Sequence, residues 1–129
     1  MVYTETGEAD VSDEKKKKDI SFFSKEYEVF FDSLLPRSFR FKENTSNRVH
    51  AGFIAQEVED SLLQSGLSTG DFAGLIKKDP SITDTDYFLR YSEFISLNTW
   101  QIQKLKPRVT QLEEKIILLE QRIAELEKN

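Results

Sequence analysis

The 129-residue chain has no cysteine, one histidine, one tryptophan and three prolines, and the scarcities narrow its chemistry. Without cysteine there is no disulfide framework, no thiolate metal site and no cysteine nucleophile, a usage compatible with folding in a reducing cytoplasm. His50 stands alone, so no histidine metal cluster and no convincing Ser/His/Asp set can be assembled, and neither metal nor cofactor is expected. No stretch approaches the roughly 20 apolar residues that span a bilayer, and the polar, acidic N-terminus lacks a signal-peptide core, so no membrane partner is expected. The net charge of -5 argues against sequence-independent binding of nucleic acid. The one basic block, lysines 15 to 18, is hemmed in by Glu8, Asp10, Asp13, Glu14 and Asp19.

What the chain does have is a seam. Ile102, Leu105, Val109, Leu112, Ile116, Leu119, Ile123 and Leu126 recur in an unbroken 3-4 rhythm, the pattern of a coiled coil with β-branched residues at a and leucine at d. Position g holds Arg108, Lys115 and Arg122, and position e holds Glu113, Glu120 and Glu127. In parallel, aligned copies each basic g residue meets an acidic e residue of its neighbour, which sets orientation and register. This a/d combination favours two strands in model coiled coils. Pro107 falls at f, facing solvent, where it either starts a fresh helix or kinks a continuous one. Ile117 and Leu118, at b and c, suggest that the stalk touches something besides its own seam.

Upstream, 38% hydrophobic and 12% aromatic content allow one modest core. Residues 1–19 read as an extended or weakly ordered leader, with order expected from about Ile20. Phe23, Tyr27, Phe30, Phe31 and Leu34 lie on one helical face that Pro36 ends. The alternating SFRFK and the segment RVHAGFIA are expected to pair as a hairpin across turn residues 44–47, with Gly52 allowing close backbone approach. A short helix is expected over 57–64, with Val58, Leu62 and Leu63 inward and Gly66 near its end. Residues 71–78 and 86–91 read as a second hairpin across Asp79-Pro80. Phe30, Phe31, Phe39, Phe41 and Phe53 are expected in the core, and Trp100 where the domain meets the stalk. The fold expected is α+β: a small mixed helix and hairpin head, residues 13–100, followed by a long helical stalk, residues 101–129, that forms a parallel coiled coil.

For chemistry, the raw material is a serine with lysines beside it, since burial lowers an amine pKa until its neutral form can take a hydroxyl proton. Ser12 precedes lysines at 15, 16, 17 and 18. Taken alone, this is equally the composition of a solvated charged leader.

The string Ser12-Asp13-Glu14-Lys15-Lys16-Lys17-Lys18-Asp19-Ile20 resembles the S-D-x-x-x-K-x-x-I entry motif of the phage intramolecular chaperone domain, the S74 peptidase family found at the C-termini of endosialidases, tail fibres and neck appendages. YEVFFDSLLPRSFRFK, HAGFIAQEVED and YFLRYSEFISLNTWQIQKL follow in the family's order, so the resemblance covers residues 12–126. It implies a homotrimer, with three chains where the heptads alone favour two, acting on an upstream β-rich fibre or appendage of the same polypeptide in the host cytoplasm during virion assembly. It implies self-cleavage at Ser12-Asp13, with residues 1–12 the end of the upstream segment, Ser12 the nucleophile and Lys17 the base. The spacing leaves Lys16 and Lys18 open as partial substitutes. Attack by a serine on its own carbonyl would close a four-membered ring, so cleavage across subunits or help from Asp13 stays open. His50 and Gln56, within the family's HAGFIAQE signature, are candidates to orient the cleavage segment; equally, His50 is an interior hydrogen-bonder and Gln56 the polar start of a helix. A trimerisation module with no chemistry is the alternative.

Overall fold

A computed structural model describes residues 2–4, 8–43 and 46–128, so the turn expected at 44–47 lies partly outside the described residues, as does the last residue of the expected stalk. It is a small mixed α/β domain with a long C-terminal helix.

The head is built from the helices α1 (Lys25–Ser33) and α2 (Ala55–Gln64), the strand pairs β3 (Arg37–Phe39) with β4 (His50–Gly52) and β5 (Leu75–Lys77) with β6 (Tyr87–Leu89), and the start of α3 (Glu93–Glu127). Both pairs are antiparallel, with Ser38 opposite Ala51 and Ile76 opposite Phe88. Helix α1 ends where Leu34 turns extended, two residues ahead of Pro36, which cannot continue a helix because it lacks the N–H and its ring clashes with the preceding turn. Helix α2 ends at Gly66, whose φ of 88° lets the Leu67 amide bond back to the Leu62 carbonyl at 3.0 Å.

The core is Phe30 from α1, Val58 and Leu62 from α2, Phe72, Leu75 from β5, and Phe94 and Leu97 from α3. Its rings meet off-parallel, with centroids 5.1 Å apart for Phe30 and Phe72 and 5.0 Å for Phe72 and Phe94. Two expectations about the interior are corrected. Leu63 is exposed and Ser61 takes the inner face, because helical spacing groups residues 58, 61 and 62 and puts 63 about 100° away. The Ser61 hydroxyl donates to the Ser33 carbonyl at 3.0 Å, satisfying the C-terminal end of α1 where the two helices meet. Phe41 is also exposed rather than core, lying one residue past Arg40, where β3 has already ended.

The leader holds more local structure than expected. β1 (Val2–Thr4) pairs antiparallel with β2 (Glu8–Asp10), and a 3-10 turn forms over Glu14–Lys16. Yet every residue from 9 to 22 is exposed, and burial begins at Phe23. This stretch is a strap: its hydrogen bonds are local, and it adds nothing to the core.

Helix α3 runs 35 residues, about 52 Å, without a break at Pro107, so of the two outcomes left open for that proline the continuous helix is the one found. Its first two turns pack on the head. Trp100 meets Phe23 at a tilt, with ring centroids 5.1 Å apart, and Lys104 lies over the Trp100 ring and pairs with Glu28 at 2.9 Å. Beyond that point residues 102–128 are all exposed.

Glu59 of α2 joins the second hairpin to the helices. Lys77 donates to one of its oxygens and the Tyr87 hydroxyl to the other, both at 2.9 Å, with the Lys77 and Glu59 side chains largely covered. The Lys77 hydrogen bond, then that of Tyr87, hold the Glu59 carboxyl below its usual range against the opposing effect of burial. A folded-state value below the unfolded one means stability present at neutral pH and lost as pH falls through the lowered value. Glu59→Gln should therefore destabilise the head by about 1–3 kcal/mol at neutral pH and flatten the loss of stability between roughly pH 5 and 3, as measured by denaturant unfolding across pH.

Candidate functional site

The strap carries the candidate chemistry. Asp13 caps the 3-10 turn, its Oδ1 accepting from the Lys15 amide at 2.9 Å and its carbonyl from the Lys16 amide at 2.9 Å. The Lys17 amide closes the turn on the Glu14 carbonyl at 3.1 Å. One such turn reverses the chain just enough to bring residue 17 back over residue 12, and Lys17 Nζ donates to Ser12 Oγ at 2.7 Å. Lys15 instead leans toward Asp13, at 3.7 Å. Asp19 then adopts a left-handed φ of 54°, which a short polar side chain tolerates better than most, and turns the chain into Ile20.

Ser12 and Lys17 are both exposed in the single chain. Their geometry suits proton exchange between hydroxyl and amine, and what nucleophilic chemistry would add is removal of water around the pair.

His50 and Gln56 lie elsewhere. Among the described residues no hydrogen bond joins either to Ser12 or Lys17. His50 of β4 stacks on its cross-strand partner Phe39, with centroids 5.8 Å apart, and meets Phe41 edge-on at 5.0 Å. Its Nε2 is buried without a hydrogen-bond partner. Gln56 is exposed in the first turn of α2.

The segment around them ties the hairpin to the long helix. The Tyr91 hydroxyl accepts from the Phe53 amide at 3.2 Å, and Phe53 stacks on Phe94 at 4.8 Å. Arg37 makes a two-pronged contact with Glu57 at 2.9 and 2.7 Å, fixing β3 to the start of α2. The guanidinium holds the Glu57 carboxyl below its usual range. Sequence reasoning missed Tyr91, Arg37 and Glu57 because each acts across the fold on a residue 20 or more positions away. Gly52 did carry a legible signal: a Cβ there would run into the Tyr91 hydroxyl.

Ser12 is also where likeness to known proteins begins. Residues 12–67 match the model of a peptidase S74 family described as chaperone of endosialidase. The match covers less than half of the chain. The fold of the chain is similar to that of a solved structure described as a novel intramolecular chaperon, at 21% identity and a TM-score of 0.62 over 75% of this chain and 99% of that one. At that identity the likeness concerns the fold. No curated protein matches the chain. Within the matched segment fall the strap from Ser12 onward, α1, the first hairpin and α2, while β5, β6 and all of α3 lie beyond it.

Because Gly52 is shaped to receive Tyr91, Gly52→Ala should cost about 1–3 kcal/mol, and adding Tyr91→Phe should recover part of the loss. Thermal unfolding of the single and double variants measures it, and strict additivity would show that the two residues are not coupled.

Proposed function

We propose that this chain is a self-releasing intramolecular chaperone: it associates as a parallel trimer, holds the C-termini of an attached β-rich fibre or appendage in register, and then cuts itself free at Ser12-Asp13. On this reading residues 1–12 end the upstream segment, residues 13–100 are the chaperone head and residues 101–129 the stalk. The match of residues 12–67 to a chaperone family supports the chaperone role, and the contact of Lys17 with Ser12 at 2.7 Å, on the residue where that match starts, is the observation that carries the cleavage.

The physical logic is entropic. Three chains must meet in register before an intertwined fibre can form, and tethering their ends raises the effective concentration of each for the others. Basic residues at g and acidic residues at e favour the parallel, aligned arrangement. The seam side chains, exposed by half or more in the single chain, supply the apolar area. The heptads leave chain number to the head, whose packing around the stalk selects three. The place of action is the host cytoplasm during virion assembly, with the chaperone absent from the finished appendage.

In the chemical step a neutral Lys17 amine takes the Ser12 hydroxyl proton as Oγ attacks a carbonyl carbon. Ring size forbids attack on its own carbonyl, so Ser12 of one copy attacks the Ser12-Asp13 bond of another. The Asp13 amine leaves with the proton returned by Lys17, and water hydrolyses the resulting ester. Assembly covers the exposed pair and so provides the dry surroundings that favour a neutral amine.

Exposure of both residues in the single chain also favours the alternative of a trimerisation module with no chemistry. One experiment separates them. Intact mass of the expressed chain should reveal a new N-terminus at Asp13, abolished in Ser12→Ala and reduced at least ~100-fold in Lys17→Met, as expected for loss of a nucleophile or its base. Leu112→Asp, which puts a charge in the seam, should be monomeric by native mass and uncut. A wild-type trimer that stays whole would leave the module reading, and a monomer that cuts efficiently would sink the coupling to assembly.

A further inference from the structure

Phe22 is fully exposed, at 100% relative accessibility, five residues after Lys17 and one before the first ring packed on the head. An isolated exposed apolar residue means little, but Phe22 is not isolated. Ile20 on the same strap and Ile95 on α3 are 70% and 64% exposed. Phe22, Phe23, Ile95, Thr99 and Trp100 line an open groove of about 410 Å³ where strap and helix meet.

The phase of the heptads says what this surface faces. Counting back seven from Ile102 and Leu105 puts Ile95 at a and Asn98 at d, with Thr99 at e. The head packs on α3 through Phe94, Leu97 and Trp100, which are g, c and f. Burial against the head therefore leaves a, d and e open beside it, and the open stripe runs from the stalk past the polar Asn98 to Ile95 in the groove that Phe22 borders.

We propose that this groove and Phe22 together are the docking surface for a second copy of the chain, and that docking clamps the strap and so sets Ser12 and Lys17 for reaction. The occupant is a second copy because the charges flanking the seam complement themselves: Arg108, Lys115 and Arg122 at g answer Glu113, Glu120 and Glu127 at e only in parallel, aligned chains. That alignment carries the top of one seam to the top of the next, at Ile95. The strap has no burial of its own over residues 9–22, so a contact made by the neighbour is what would hold it still. Phe22 is thus a positioning residue for the dyad.

This inference rests on the self-associating, self-cleaving reading, and its test reads docking apart from cleavage. The chain has no cysteine, so Phe22→Cys supplies a single thiol. It is made in a Ser12→Ala background that keeps the chain whole. Maleimide labelling should be at least ~10-fold slower in the assembled chain than with Leu112→Asp added, the order expected when a side chain moves from water to an interface. Equal labelling in both, whether fast because the site is open or slow because the chain covers itself, overturns the proposal. In the otherwise native chain, Phe22→Ala should leave the native mass of the assembly unchanged and slow the appearance of the Asp13 N-terminus about tenfold or more, with Phe22→Leu restoring most of the rate. Cleavage at the native rate in the alanine variant would also overturn it.

Discussion

One helix faces two ways. α3 gives Phe94 and Leu97 to the head core and Trp100 to the strap's end, while a, d and e positions of the same turns stay open. The period of 3.6 residues permits this, because residues three and four apart share a face and the opposite stripe is free for another use. Everything else hangs on that division. The head is positioned by where it grips α3, and the seam is positioned by what the head leaves uncovered.

The head itself is small and short of regular sheet. Its two strand pairs are separate three-residue hairpins, so sheet hydrogen bonding does little to hold the whole together. Side-chain ties do that instead: Ser61 to the end of α1, Arg37 to Glu57, Glu59 to Lys77 and Tyr87, and Tyr91 to the backbone at Phe53. Three of these ties involve α2 and a fourth grips the residues just before it, and the match to the family model ends just after that helix. The string HAGFIAQE thus has a structural content in the single chain, seating Tyr91 and opening α2.

The strap is the opposite case. It is wholly exposed, ordered by one turn and a few local hydrogen bonds, and it carries the pair of groups suited to chemistry. A segment kept off the core is easy to move, since little packing must be broken when it shifts.

Much of this was legible in the residues. The helical face of α1, both hairpins of the head, the glycine end of α2, the place of Trp100 and the long C-terminal helix all follow from period, turn chemistry and breakers. The errors have one source. Leu63 and Phe41 were assigned inward on hydrophobicity, and the fold put a serine and solvent there because helix phase and strand ends, not side-chain type, decide which way a residue points. The local pairing in the leader was also hidden, since polar strands show no apolar alternation.

By itself the sequence determined what depends on near neighbours: the length and phase of α3, its charged flanks, and the presence of a serine five residues ahead of a lysine. Those are one-dimensional facts, read from period and spacing. Only the tertiary structure decided which lysine of four reaches Ser12, which stripe of α3 the head would claim, and that the strap ends in a bare phenylalanine beside the open stripe. Such choices turn on a bend of the backbone and on contacts between residues far apart in the chain, and local pattern contains neither.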